Sequence, residues 1–426
     1  MSRSWIVAAF VFITVGAFAQ DYQFITCGPG YNKQSYVNIK EGTEKLVNND
    51  AWDLAFTAFS FQDAGIFINE SSGSTQGQNL PLTELYDARV TNFTDNIILD
   101  SITNSRFLNS EKSWTYGAFN ESRVISDPYD FGWGKYVPSA QRVNGNKIYV
   151  LKLRNGQYKK IMIESLIGTT YTFKYANLDG SNEVVKTINK MPVSPTKLIY
   201  FSMTTNDIVD VTPSRGYDLI YGRYISLAKD PNGTIEQQYN VTGILTGPGT
   251  KAVAAKGVNT MTVSHLDYEN SYSAQTDIIG YDWKALVGTS WSIANDRAYF
   301  VKTVENRVWK IVIKDFEGSA TGNAVFEKTD LGISSLDVLE GTETNVSPNP
   351  VSDVMHIALD TKSLGNNDFN IEVFDMSGKL IYNSINQNLN GFNIIEVDTD
   401  QWKSGMYIVK ISNNLHQSAI SKVTKL

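Results

Sequence analysis

Apolar and polar residues alternate with a period of two through most of this chain. Segments such as Ile148-Tyr149-Val150-Leu151-Lys152-Leu153, Arg307-Val308-Trp309-Lys310-Ile311-Val312-Ile313 and Gly405-Met406-Tyr407-Ile408-Val409-Lys410-Ile411 place every second side chain on one face, as a half-buried β-strand does. Gly, Asn and Asp punctuate these runs, and Asn155-Gly156 suits the positive-φ positions of a tight hairpin turn. No stretch sustains apolar residues at i, i+3 and i+4, so the expected fold class is all-β.

The alternation also repeats. Tyr149, Lys152, Lys160, Ile161, Ile163 and Gly168 recur 150 residues on as Tyr299, Lys302, Lys310, Ile311, Ile313 and Gly318. Trp52-Asp53-Leu54-Ala55-Phe56 is answered by Tyr217-Asp218-Leu219-Ile220-Tyr221, and Asp130-Phe131-Gly132-Trp133 by Asp277-Ile278-Ile279-Gly280-Tyr281. Blocks met twice in the same order predict two tandem β-rich repeats, 20–190 and 191–336. Met191-Pro192-Val193-Ser194-Pro195 is the expected join, because paired prolines interrupt sheet ladders. A polar linker, 337–345, precedes a third block of short strands over 346–426, which reads as a small immunoglobulin-like β-sandwich.

Both ends carry transport signals. Arg3, the apolar run from Ile6 to Phe18 and the small residues of Ala17-Phe18-Ala19 make residues 1–19 a signal peptide cleaved between Ala19 and Gln20. Beyond residue 19 nothing approaches 18 consecutive apolar residues, so no membrane-spanning helix is expected in the mature chain. At the other end stand Ser347-Pro348-Asn349-Pro350, Val373-Phe374-Asp375 with Gly378-Lys379, Gly405 with Tyr407, Val409 and Lys410, and a short basic terminus ending at Leu426. Together they resemble the type A sorting domain of the Bacteroidota type IX secretion system. The resemblance implies export through the periplasm and recognition by the type IX secretion machinery. It also implies an extracellular or outer-surface destination, with release of the cargo or its attachment to surface lipopolysaccharide.

The middle resembles a second family. The strand Gln34–Ile39, the segment Asp50-Ala51-Trp52-Asp53-Leu54-Ala55-Phe56, the Gly/Ser-rich loop at 65–79 and the Tyr149-Val150-Leu151-Lys152 hairpin are similar to the HmuY family of Bacteroidota surface proteins. This likeness covers most of 30–190 and, more faintly, 196–332. The best known members bind haem between β-hairpins, which makes haem an alternative ligand here.

Composition narrows the chemistry. The 426 residues suffice for two or three domains, and a formal charge of −7 leaves no basic surplus for nucleic acid. One cysteine and three histidines allow no intrachain disulfide and little His-based chemistry. No resident cofactor is expected from the residues themselves. A haem iron wants axial ligands, and Met261 and His265 are the candidates of the second repeat, although on a strand they stand about 13 Å apart. Asp53 and Asp218 are the candidates for a carboxylate pair in a carbohydrate-active enzyme, with a structural, hydrogen-bonded carboxylate as the competing reading. There is no Gly-x-Ser-x-Gly turn. Asn177 to Glu183 gathers oxygen side chains around Gly180, which suits a polar turn better than a calcium loop. Trp114, Tyr116, Trp133 and Tyr136 cluster with Tyr129 among Gly and Ser, and would form a stacking platform if exposed. The sequence therefore points to an exported, non-catalytic surface or secreted binding protein, with haem capture and glycan cleavage as alternatives.

Overall fold

A computed structural model describes residues 21–75, 78–102, 106–229, 236–333, 343–360, 367–389, 391–413 and 418–426. The expected leader with its cleavage point at Ala19 and Gln20, and most of the expected linker, lie outside the described residues. The fold is all-β: every paired strand is antiparallel to its neighbour in the named sheets, and the helical elements among the described residues are 3-10 segments of at most 7 residues. No helix among them is long and apolar enough to cross a membrane.

The expected hairpins form in matching register. Tyr149 pairs with Ile161 and Lys152 with Tyr158; Tyr299 pairs with Ile311 and Lys302 with Val308. The turns between them put Gly156 at φ 82° and Asn306 at φ 59°, the left-handed region that Gly and Asn enter most cheaply. Trp133 and Trp283, also 150 residues apart, are both fully buried.

Hydrogen bonding does not follow the expected division at 191–195. One four-stranded sheet joins Asp207–Val209 and Leu198–Ser202 to Leu54–Thr57 and Ile66–Ile68. Another joins Glu236–Thr246 and Leu219–Lys229 to Lys33–Asn38 and Thr43–Asn48. Asp21–Thr26 pairs along Asn323–Ile333. The cores follow the same exchange. Ile199, Phe201 and Met203 pack with Leu54, Phe56, Trp133, Tyr149 and Phe173, whereas Ile25, Cys27, Val37 and Ile39 pack with Tyr221, Trp283, Tyr299 and Phe326. The physical reason lies at the sheet edges: Leu54–Thr57 and Leu219–Lys229 each need a neighbour for their free backbone groups, and each takes it from across the join.

The C-terminal block is a two-layer sandwich. Three strands, Glu343–Ser347, Val354–Asp360 and Phe392–Asp398, oppose four, Leu380–Leu389, Asn367–Asp375, Gly405–Asn413 and Ser418–Lys425. Met355, Ile357, Phe369, Ile371, Val409 and Val423 fill the space between them.

Candidate functional site

The two four-stranded sheets share an aromatic interface. Tyr36 pairs across the ladder with Ile220, so strand alternation turns Gln34, Tyr36, Ile220, Gly222 and Tyr224 to one face. Ala55, Phe67, Leu198 and Tyr200 face them from the other sheet. Tyr36 meets Tyr217 edge-on at 5.0 Å, and Trp52 meets Tyr200 edge-on at 5.0 Å. Gln34 ties the layer together. Its side-chain oxygen accepts from the Tyr36 hydroxyl at 3.2 Å and from the Trp52 indole at 3.3 Å, while its amide donates to Asn69 at 3.0 Å.

A cavity of about 90 Å³ remains between these faces, lined also by Asn69, Glu70, Asn109, Glu111, Trp114 and Thr276. The segment from Asn109 to Trp114 closes one side. Trp114 packs against Phe67 at 5.6 Å, its indole donates to the Thr246 carbonyl at 2.7 Å, and the Thr276 hydroxyl donates to the Glu111 carbonyl. Glu70 is 5% exposed and accepts from the Asn109 backbone at 2.9 Å; burial pushes its carboxyl up to about 8. The Tyr224 hydroxyl is buried without a hydrogen-bond partner.

The four aromatics of the expected platform are dispersed. Trp114 alone among them lines this cavity. Trp133 is fully buried, with its indole donating to Ala64 at 2.9 Å, because the corner at Gly132, φ 83°, turns it into the core. Tyr116 lies beneath the Arg123 guanidinium, 3.5 Å from its ring, and Tyr136 pairs with Tyr129 at 5.9 Å in a separate depression. Met261 is 82% exposed, and His265 opens a 3-10 segment with its ring 6.1 Å from Phe300; neither lines the cavity.

Asp53 and Asp218 occupy matching sockets. Asp53 accepts from the Met203 backbone at 2.7 Å while its own N–H donates to Phe201 at 2.9 Å. Asp218 accepts from Ile39 at 2.8 Å and donates to Val37 at 2.8 Å. Burial raises both carboxyls, Asp218 to about 6. Each is spent on holding a strand from across the join, and they do not form a pair. In the Asn177 turn, Asp179 is engaged by Ser181 at 2.9 and 2.7 Å. Among the described residues no group of three or more His, Cys, Asp or Glu could hold a metal.

Sequence reasoning reached Trp114 and missed Glu70, Tyr200 and Tyr224. The Trp52-Asp53-Leu54 strand was the one local signal near them, and it marked the strand rather than the space beside it.

Residues 30–178 match the HmuY protein family, and residues 345–425 match a secretion system C-terminal sorting domain. The chain is similar to the HmuY family over 30–178 and ends in a secretion sorting tail. The protein is thus an exported one, bound for the cell surface or the medium, and the type IX tail implies the type IX secretion machinery as a partner. No curated protein matches the chain. Among solved structures, dimeric latent PorU from Porphyromonas gingivalis is similar over 95% of this chain at 9% identity and a TM-score of 0.19. This chain covers 34% of that one, and a likeness so slight bears on neither fold nor function.

Haem, which the HmuY segment brings into question, does not fit the cavity. No His, Met or Cys lines it. Burial raises the phenols of Tyr36 and Tyr200, away from the phenolate that ligates iron. At about 90 Å³ the space is also smaller than the ~150 Å³ hole that accepts benzene.

Proposed function

We propose that this protein is a non-catalytic binding protein that holds a small ligand in the aromatic cavity between the two four-stranded sheets that contain Tyr36 and Tyr200. The observation that carries this reading is the convergence of Tyr36, Trp52, Phe67, Trp114 and Tyr200 around unfilled space beside a buried, neutral Glu70. Concave, mostly apolar sites with a few placed polar groups are where small molecules bind. The sorting tail accounts for delivery, followed by release or by attachment to surface lipopolysaccharide. Titrating the mature chain with a panel of compact ligands while following tryptophan emission tests the reading. A saturable change lost in Trp114→Leu supports it; emission that no compact ligand alters overturns it.

The arrangement of the exchanged hairpins supports a duplication. The Asp53 and Asp218 sockets, the common hairpin register and the paired Trp133 and Trp283 are what two copies of one module would share after swapping their first hairpins, 33–48 and 198–209. Fragment 20–190 expressed alone then fails to fold as a monomer, since it lacks the strand that completes its core. A cooperative monomeric melt of that fragment sinks the exchange.

A further inference from the structure

We propose that the cavity selects a small organic cation, an ammonium ion bearing methyl or methylene groups. This rests on the reading of the cavity as a binding site and adds the class of ligand. Aromatic rings carry negative faces, and six aromatic residues line this space. Glu111 lines it as well and Asp277 stands next to the lining Thr276, while Glu70, buried and neutral, adds a polar carboxyl rather than charge. Among the described residues none of these three acids forms an ion pair.

The basic residue of the wall does not offset them. Arg223 lies between Gly222 and Tyr224 on its strand, so alternation sends its side chain to the opposite face. There its guanidinium donates to the Gly73 carbonyl at 3.1 Å and to Asn240 at 2.6 Å, 5.7 Å from the Tyr31 ring. The second independent observation is Tyr224. Its side chain lines the cavity and is 8% exposed, yet its hydroxyl has no partner. A buried hydroxyl left unpaired is costly, and an N–H or polarised C–H of a bound ammonium would satisfy its oxygen. Size restricts the cation to a compact head, because the space is about 90 Å³. The fixed indole of Trp114, anchored on Thr246, supplies a ring that need not reorganise on binding.

The test is isothermal titration of the mature full chain with tetramethylammonium chloride, its neutral shape mate tert-butanol, and the anion pivalate. A fourth arm, N-acetyl-lysine methylamide, asks whether the same cationic head is taken from a peptide side chain. Binding of either cation at least about tenfold tighter than tert-butanol is expected, the scale of cation–π attraction with added charge. Glu111→Gln should weaken the cation by about fivefold and leave tert-butanol unchanged. Tyr224→Phe should also weaken the cation while leaving the melting temperature near that of the parent. If tert-butanol or pivalate binds as well as the cations, the cationic class is overturned and the binding site stands. If none of the four binds to protein shown by its melt to be folded, both readings fall.

Discussion

Replacing Glu70 by Gln should change how stability depends on pH, with a sign and window set by the structure. The carboxyl is 5% exposed and burial lifts it from its usual 4.5 to about 8, against the pull of the Asn109 backbone bond and the Arg106 charge, with Glu121 adding to the rise. Between those values the folded chain holds a proton that the unfolded chain has released. Stability from this group is therefore full below about 4.5, falls as pH rises, and is gone above about 8. At about 1.4 kcal/mol per pH unit, the window bounds the effect at about 5 kcal/mol. Gln is neutral throughout and keeps an acceptor for the Asn109 N–H, so the variant lacks this loss. Urea unfolding of both proteins from pH 4.5 to 9, followed by tryptophan emission, should show the Gln variant gaining several kcal/mol on the parent as pH rises. Asp218, raised to about 6 by its own burial, titrates in both and cancels from the difference. A difference curve flat across that range would refute the assignment of Glu70 as a buried neutral acid.

Other outcomes follow from the same geometry. Lys190 is fully buried with its ammonium 2.6 Å from Asp63, so Asp63→Asn should cost about 3–5 kcal/mol by stranding the charge, and Asp63→Asn with Lys190→Met should recover much of it in thermal melts. Asp53→Ala and Asp218→Ala each leave a buried backbone N–H, of Met203 or Ile39, without its acceptor; each should lower unfolding free energy by about 1–3 kcal/mol in urea melts. Cys27 is fully buried and burial pushes its thiol up to about 12, so it should react with a thiol reagent only at the rate of unfolding, and rapid labelling of the native chain would contradict its placement.

Local chemistry was legible where one strand or one turn decides the outcome. The period-two runs and their turn residues marked the Tyr149 and Tyr299 hairpins, and the turn at Gly156 or Asn306 then sets the pairing of the residues on either side. The tail was readable for a similar reason: its strands pair mostly with near neighbours in the chain, as at Asn367–Asp375 with Leu380–Leu389 and Gly405–Asn413 with Ser418–Lys425. Alternation says which side chains share a face, and it is silent on which strand lies alongside. Nothing in Lys33–Asn38 announces that its partner is Leu219–Lys229 rather than a strand of its own half.

The cavity inherits that silence. Its walls come from strands separated by about 160 residues, as Tyr36 and Tyr200 show, and they meet only because the first hairpins cross the join. Trp114 and Trp133, both set among Gly and Ser in the sequence, have opposite fates for local reasons. Trp133 follows a left-handed Gly132 and sinks into the core that Leu54, Phe56 and the exchanged Ile199 and Phe201 build, where its indole bonds Ala64. Trp114 instead rests on Thr246, a residue of the far strand, and so borders the space left between the two sheets. A binding site made in this way depends on the pairing of Leu219 with Val37 and of Leu54 with Phe201. Substitutions that loosen either ladder should therefore disturb the cavity before they disturb either hairpin core, which places the site at the least self-sufficient seam of the molecule.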